Sequence, residues 1–415
     1  MPRTASASRI RTIPNSGKID LATLLSDLPR ELKAEVDDEY IRLTKTWYLK
    51  RTERRCKATI RRYVNAEKLA LALGLYRADG QKKPGRIRFV NKDPTLHRWF
   101  AEALREMGVT EFKAYAQYCF CEKCGSRKLE DAIKRFEKAT KVRVSNVYRN
   151  EVAHNPTFYL DVNNKALAML LITIEKALRK EIAYGNISRN IANKYLRGVL
   201  EGDGSLNLKI NNGKAAGTHL ELYESDANAI QDLIAATERL FGIRLLPYQC
   251  EELQASIDLD DLLELMLEGV IPRRCIKKVT ERVLIAFRHR RTPWILMRLA
   301  DTFKNEWFSS AKASDIICKA RHHSLETLKA LEKKGYLISK KVKDFSKAKS
   351  GGTPVRRLFK LTRKAWKLTK LFQSLPLPHH SFPFFFIPFI HGNFPRLMNR
   401  CIALFKGGRS RFSQF

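Results

Sequence analysis

The sequence predicts an α+β protein. Two pseudo-symmetric halves would each read helix, strand, strand, helix, strand, strand, helix (αββαββα), with a smaller α/β module after them. Three observations lead there. Two segments, Ala72–Gly80 and Leu196–Gly204, share one pattern and end in Asp-Gly. The residues after each segment also match. From about Arg290 the pattern changes to short helices followed by two strands.

Residues 1–65 are expected to form a basic N-terminal arm and helix. Met1–Gly17 is basic, Ser-rich and low in apolar residues. It lacks the apolar stretch of a secretory leader and is suited to touching phosphate; an organellar transit peptide would share its composition.

The first motif helix reads Ala72-Leu73-Gly74-Leu75-Tyr76-Arg77-Ala78-Asp79-Gly80 and the second Leu196-Arg197-Gly198-Val199-Leu200-Glu201-Gly202-Asp203-Gly204. Gly74 and Ala78 share one helix face, and so do Gly198 and Gly202. Small residues let two helix backbones approach closely, so these four residues predict a tight helix interface. Gly80 and Gly204 fit the left-handed residue that ends a helix. Asp79 and Asp203 would stand side by side at two helix C-termini. The helix dipole is also negative there, so a divalent cation site follows.

After the first motif come Gly85–Asp93, a helical pattern over Thr95–Met107, and Gly108-Val109. After the second come Thr218–Asp226, a helical pattern over Ala229–Phe241, and Gly242-Ile243. Leu96, Trp99 and Phe100 correspond to Ile230, Leu233 and Ile234. The second copy holds about ten more residues before its helix, which places a longer hairpin there. The halves would span 66–185 and 186–280. In the first, Glu111–Cys119 reads as a strand and Leu129–Thr140 as an extra helix. Val144–Val152 and Thr157–Val162 read as a strand pair, and Lys165–Ile182 as the last helix. In the second, Leu253–Asp258 is a strand and Asp260–Glu268 a helix.

Strand alternation separates a core face from a polar face. Leu206, Leu208 and Ile210 would be buried, opposite Ser205, Asn207, Lys209 and Asn211. His219, Glu221 and Tyr223 alternate with Leu220 and Leu222. In the first half Arg86 and Arg88 flank Ile87, while Lys113, Tyr115 and Gln117 alternate with Phe112, Ala114 and Ala116. These polar types bond to base edges and phosphates, and a two-stranded ribbon fits the major groove. A solvated sheet face is the plainer alternative.

The chain has 78 Lys+Arg against 43 Asp+Glu, a formal charge of +35, which calls for a polyanionic partner. No stretch of about 18 apolar residues suggests a membrane span. Eight cysteines, mostly unpatterned, suggest reduced thiols, in the cytoplasm or an organellar matrix. Cys119, Cys121 and Cys124 have metal-like spacing, but no neighbouring Cys or His supplies a fourth ligand. Cys56 or His154 would have to supply it through the fold. The sequence reading prefers a cysteine-bearing strand end and turn to a zinc site.

Within 290–372, helices are expected around Trp294–Trp307, over Ala313–Lys319 and over Ser324–Lys334, with Ser324 as N-cap and Gly335 as stop. Leu325, Leu328 and Leu331 would be buried; Thr327, Lys329 and Lys333 would be exposed and contact DNA. Tyr336–Val342 and Arg356–Leu361 read as strands joined by a Lys-, Ser- and Gly-rich loop. This module resembles a winged helix-turn-helix, whose third helix enters the major groove. The aromatic, Pro-broken tail at 373–415 is expected to be poorly ordered, neither a good helix nor a membrane span.

Over roughly 66–275 the doubled motif resembles the LAGLIDADG homing endonucleases of the two-motif, single-chain type. The resemblance implies a DNA-binding saddle built from both sheets, on a monomer able to cut an asymmetric site. It implies that Asp79 and Asp203 are catalytic and hold Mg²⁺ (or Mn²⁺). The carbonyls of Ala78 and Gly202 would be further ligands. The reaction would hydrolyse one phosphodiester on each strand of double-stranded DNA, as in intron or intein mobility. Two rivals share the scaffold: a DNA-binding transcription regulator and an RNA-binding intron maturase.

Overall fold

The structure is a computed structural model that describes residues 12–13, 16–81, 85–121, 126–211, 214–249, 251–343 and 355–375. Cys124, the 344–354 loop, most of Met1–Gly17 and the tail from Pro376 therefore lie outside the described residues. The chain up to Thr369 is one compact unit; Lys370 begins a second.

Residues 18–65 are strands, not the expected helix. β1 (Thr12–Ile13), β2 (Lys18–Asp20) and β6 (Tyr63–Asn65) form one sheet. β3 (Leu32–Val36), β4 (Tyr40–Leu49) and β5 (Thr52–Arg61) form another. One 3-10 turn, Leu21–Leu24, is the only helical piece described before α1. The β4–β5 hairpin turns on Lys50 and Arg51, both at positive φ (47° and 67°), which suits a tight two-residue loop. Ile41, Leu43 and Ile60 are buried beneath it.

The first half comprises α1 (Ala66–Asp79), β7 (Ile87–Asn91), α2 (Pro94–Glu106), β8 (Lys113–Tyr118), α3 (Ser126–Thr140), β9 (Val144–Arg149), β10 (Thr157–Val162) and α4 (Lys165–Tyr184). Its sheet runs β7-β10-β8-β9. The expected pairing of β9 with β10 does not occur, because β8 lies between them. β8 and β9 are parallel. Parallel neighbours need a crossover, and α3 is that crossover. The extra helix is thus the reason the strand order differs. The expected strand ahead of β7 is reduced to one bridge, Gly80 to Phe89, and a Gln81 N–H donated to the Arg88 carbonyl at 2.8 Å.

The second half comprises α5 (Arg189–Asp203), β11 (Gly204–Asn211), β12 (Lys214–Tyr223), α6 (Ala227–Phe241), β13 (Leu246–Gln249), β14 (Glu252–Ser256) and α7 (Leu259–Leu267). Its sheet runs β11-β12-β14-β13, antiparallel throughout. Leu206 is buried, but Leu208 is only half-buried and Ile210 is 43% exposed. The expected core face ends there because a register shift between Lys209 and Ile210 breaks the alternation.

A 3-10 turn, Arg273–Cys275, leads to α8 (Ile276–Arg288), which packs on β11 and β12. Then come α9 (Thr292–Phe303), β15 (Phe308–Ser309), α10 (Ser310–Ile317), α11 (Arg321–Lys333), β16 (Leu337–Lys343), β17 (Val355–Leu361) and α12 (Arg363–Ser374). The three helices and two strands expected here correspond to α9, α10, α11, β16 and β17; β15 and α12 are additions, the first helix stops at Phe303 rather than reaching Trp307, and the sheet runs β15-β17-β16. Ser324 is not the N-cap: α11 begins at Arg321, and Ser324 is fully buried, its hydroxyl donating to the Lys319 carbonyl at 3.2 Å. Among the described residues no helix is long and apolar enough to cross a membrane.

Candidate nucleic-acid interface and paired helix ends

α1 and α5 cross where their small residues meet. A Cβ at Gly74 would overlap the Tyr195 carbonyl oxygen and stand 3.0 Å from the Gly198 Cα. A Cβ at Gly198 would overlap the Leu71 carbonyl oxygen and stand 2.8 Å from the Leu75 nitrogen. One turn on, a Cβ at Gly202 would overlap that of Ala78 and lie 2.9 Å from the Asp79 Oδ2. The four interface residues are therefore at the contact the sequence assigned them.

The helix terminators differ from expectation. Gly80 (φ −87°) and Gly204 (φ −80°) are extended, not left-handed. Glycine is required for space instead. A Cβ at Gly80 would overlap the Tyr76 ring and carbonyl oxygen, and one at Gly204 would stand 2.7 Å from the Leu200 Cα.

Asp79 and Asp203 are half-buried at the ends of the crossed helices. The Asn91 side-chain amide donates to Asp79 Oδ2 at 2.7 Å. Asp79, Asn91, Asp93, Glu201, Gly202, Arg273 and Arg274 line an open cleft of about 510 Å³. Arg274 decides the chemistry of its second wall. Its Nη2 donates to the Gly202 carbonyl at 2.7 Å, to that of Leu200 at 3.4 Å and to that of Gly204; its Nε reaches Gly204 at 3.2 Å. The last carbonyls of a helix lack intrahelical partners and carry the negative end of its dipole. A guanidinium answers both needs.

One member of the implied Mg²⁺ ligand set is already engaged in this arrangement. Mg²⁺ asks for near-octahedral oxygen ligands. The Gly202 carbonyl, one of the expected ligands, is bonded to a cation instead, and that cation repels a second. Of the expected set, the Asp79 and Asp203 carboxylates are at the helix ends, and Gly202 is committed elsewhere.

One buried charge, Arg77, ties the halves together directly, and a second, Glu201, does so only by way of Arg273. Arg77 is 5% exposed and forms a double ion pair with Glu224, which is 4% exposed, and a longer one with Asp226 at 3.4 Å. Burial opposes its charge, but the hydrogen bond to Glu224 and the charge of Glu175 hold its pKa above the usual arginine value. Glu201, the counterpart of Arg77 on α5, is 4% exposed. Burial raises its pKa, while the Arg273 backbone N–H and the Arg197 charge oppose the shift. Arg273 also reaches Asp93 at 3.3 Å. Asp93 and Asp226 are N-caps at corresponding places, of α2 and α6. Each motif helix is thus joined to the other half's cap. Arg273 and Arg274 were not found from the sequence; their doublet in a charged stretch carries no periodic signal.

On the first sheet Arg88, Lys113, Tyr115 and Gln117 share one face, as expected, since Asp161 is paired with both Arg88 and Lys113, and Thr157 with Gln117. Lys113 is exposed, and Tyr115 is half-buried and stacked on Tyr159 with ring centroids 4.5 Å apart. Arg88 is committed to buried Asp161 at 2.7 and 2.9 Å and lies over both rings, while Arg86 reaches Asp161 at 3.3 Å. Gln117 accepts from Asn150 (2.9 Å) and the Tyr159 hydroxyl (2.8 Å). Tyr148, Tyr159, Asn150 and Asp161 belong to this face and were missed. Their strand order depends on the parallel β8–β9 pairing.

On the second sheet Asn207, Lys209, Asn211 and Tyr223 are exposed and His219 is half-buried. Ser205 donates to Glu221 at 2.7 Å and Gln254 donates to Glu221 at 3.3 Å, so these three are partly tied to one another. On α11 Lys329 and Lys333 are exposed. Thr327 is half-buried, donating to the His323 carbonyl (2.8 Å) and accepting from Lys319 (3.0 Å). Leu325 is half-buried, not in the core with Leu328 and Leu331. Cys56 donates to Asn164, whereas His154 stands beside Cys121, 3.9 Å from its sulfur.

No protein-family model and no curated protein matches the chain. Solved structures do resemble it. The chain is similar to the N-terminal LAGLIDADG domain of DUF199/WhiA, at 13% identity and TM-score 0.29, over 50% of this chain and 85% of that one. It is also similar to full-length DUF199/WhiA from Thermatoga maritima, at 11% identity and TM-score 0.32, over 65% of this chain and 90% of that one.

Proposed function

We propose that this chain is a double-stranded DNA-binding protein of the regulator kind, built on a paired-motif scaffold whose helix ends no longer serve as a metal centre. The single observation that carries this reading is the Arg274 guanidinium on the carbonyls of Leu200, Gly202 and Gly204. It supplies positive charge at the α5 terminus without Mg²⁺ and removes an expected ligand. Exposed Lys113, Asn207, Lys209, Asn211 and Tyr223, with Lys329 and Lys333 on α11, offer donors and acceptors to base edges and phosphates. The charge of +35 supplies the general attraction. Binding in this reading rests on cationic and polar side chains and needs no metal.

The test is fluorescence anisotropy on randomised duplex DNA, in chelator and in Mg²⁺ or Mn²⁺, with cleavage followed in parallel. The expected result is duplex binding that weakens steeply with salt, is unchanged by metal, and gives no discrete cuts. A second reading, a Mg²⁺-dependent homing endonuclease, is favoured by the retention of Asp79 and Asp203 at the paired helix ends. Discrete metal-dependent cutting, lost in both Asp79→Asn and Asp203→Asn, would establish it and overturn the first reading. Tighter binding to structured RNA than to duplex DNA would point instead to a maturase.

A further inference from the structure

Among the described residues one group of soft ligands converges. Cys119, Cys121 and His154 bring two sulfurs and one imidazole nitrogen within 4.8 Å of one another. We infer that they bind a Zn²⁺ ion that fastens the end of β8 to the turn between β9 and β10. This site is independent of the helix ends and of the DNA reading.

Three features support a built site. The first is ligand geometry. Tetrahedral zinc with bonds of about 2.3 Å to sulfur and about 2.0 Å to nitrogen keeps those two ligand atoms about 3.5 Å apart. The Cys121 Sγ and His154 Nδ1 stand 3.9 Å apart, so only a small closure is needed.

The second is backbone support. Cys119 and His154 are 35 residues apart in number, yet the Cys119 N–H donates to the carbonyl of Ala153, the residue before His154, at 2.9 Å. Asn150 shapes the turn that carries His154. Its N–H donates to the Tyr118 carbonyl at 3.0 Å, its carbonyl accepts from Ala153 at 3.1 Å, and its side chain accepts from the Val152 N–H at 3.2 Å. Lys128, in the first turns of α3, donates to the His154 carbonyl at 3.2 Å. The ligands are therefore presented by a fixed hydrogen-bonded ribbon, before any metal arrives.

The third is environment. Cys119 is 6% exposed, beside Tyr118 and Leu129, while Ile133, Val147 and Cys121 pack partly around them. His154 is exposed at the rim. One buried thiolate and one rim imidazole leave an entry path for the ion. Two thiolates balance the charge of Zn²⁺. No hydrophobic packing could replace this staple cheaply, because the turn it holds is polar and lies at the sheet end. Cys124 lies outside the described residues, and the inference stands on three ligands without it.

The experiment uses the full chain purified without chelator. Zinc is measured by elemental analysis, and the zinc-free protein is titrated with Co²⁺, whose thiolate charge-transfer absorption reports sulfur ligation. The expected result is about one zinc per chain and a cobalt spectrum of thiolate type. His154→Ala, at an exposed position, is expected to stay folded by circular dichroism. It should weaken cobalt binding by more than about tenfold, the lower end of what even an outer partner of a metal ligand costs. Cys121→Ser should do the same and reduce the charge-transfer intensity. His154→Cys should restore tight binding, and Cys318→Ser, at an exposed cysteine outside the cluster, should change nothing. A wild-type chain that takes up no zinc after reconstitution and shows no charge-transfer absorption overturns the inference. So does a cobalt spectrum unchanged in both Cys121→Ser and His154→Ala.

Discussion

The two halves agree where their helices touch and differ almost everywhere else. α1 and α5 carry the same small residues at the same crossing, and the α2 and α6 helices follow capping aspartates at matching places. Beyond that, the second half keeps a full β11–β12 hairpin, while the first keeps a single bridge at Gly80. The first half inserts α3 and a parallel strand, while the second is antiparallel throughout. The buried charge on the motif helix is reversed, from Arg77 in one half to Glu201 in the other. Two backbones in contact leave no volume for variation. A sheet edge tolerates insertion, and a buried charge tolerates reversal if a partner of opposite sign arrives.

The strongest way to break the comparison is at the crossing. Gly198→Val places a branched side chain against the Leu71 carbonyl and the Leu75 nitrogen. The cost should exceed the ~1–3 kcal/mol of ordinary overpacking, because backbone rather than flexible side chain is in the way. Loss of the cooperative urea transition is the expected outcome. An Ile at exposed Val342, by contrast, should leave it unchanged.

The reversed charges come next. Arg77→Ala leaves Glu224 buried without its main partner and should cost about 3–5 kcal/mol in denaturant unfolding. Arg273→Ala removes a cation that is exposed, and should cost under about 1 kcal/mol. Equal costs would mean that the two cross-ties are equivalent after all.

Acid should divide the halves. His97 of α2 is fully buried, and burial pulls its pKa down to about 4 from 6.5, against the hydrogen bond to the Asn91 carbonyl. Below pH 6.5 the unfolded chain binds a proton that the folded chain refuses. Stability contributed by the neutral ring is therefore present above pH 6.5 and lost as pH falls toward 4, on the order of 3 kcal/mol in all. The matching position in the second half, four residues after its N-cap, is half-buried Ile230, which carries no titratable group. Hydrogen exchange at pH 5 should open α2 before α6, and NMR should find the His97 ring neutral at that pH.

The smallest effect concerns the surface. Lys329→Ala should weaken duplex binding without changing stability, and should lower the salt slope of log K by about 1 if Lys329 meets a phosphate. The same substitution at Lys113 compares the sheet with α11 as a contact surface.

The legible part of this molecule was local and periodic. Gly74, Ala78, Gly198 and Gly202 recur at helical spacing, and the polar faces of β7, β8, β11 and β12 follow from alternation. The illegible part was set by partners distant in the chain. Gly80 and Gly204 were read as left-handed caps because that is the commoner use of glycine after a helix; Tyr76 and Leu200 impose a steric reason instead. Ile210 alternates correctly on paper, and a bulge moves it. The N-terminal strands were missed because their buried residues, Ile19, Leu32, Ile41, Leu43, Ile60 and Val64, are scattered among many charged ones.

The sequence by itself determined the doubled helix, the paired acids at its ends and the winged-helix order of the last module. Those features need only residues a few positions apart, which the backbone brings together through its own periodicity. Tertiary structure alone decided what surrounds them. It set β8 between β9 and β10, brought Arg273 and Arg274 to the motif-helix ends, and put His154 beside Cys119 and Cys121. Such meetings depend on how whole elements pack, because burial and charge pairing reward contact irrespective of separation along the chain. The charge that meets those helix ends was therefore settled by the fold rather than by the motif.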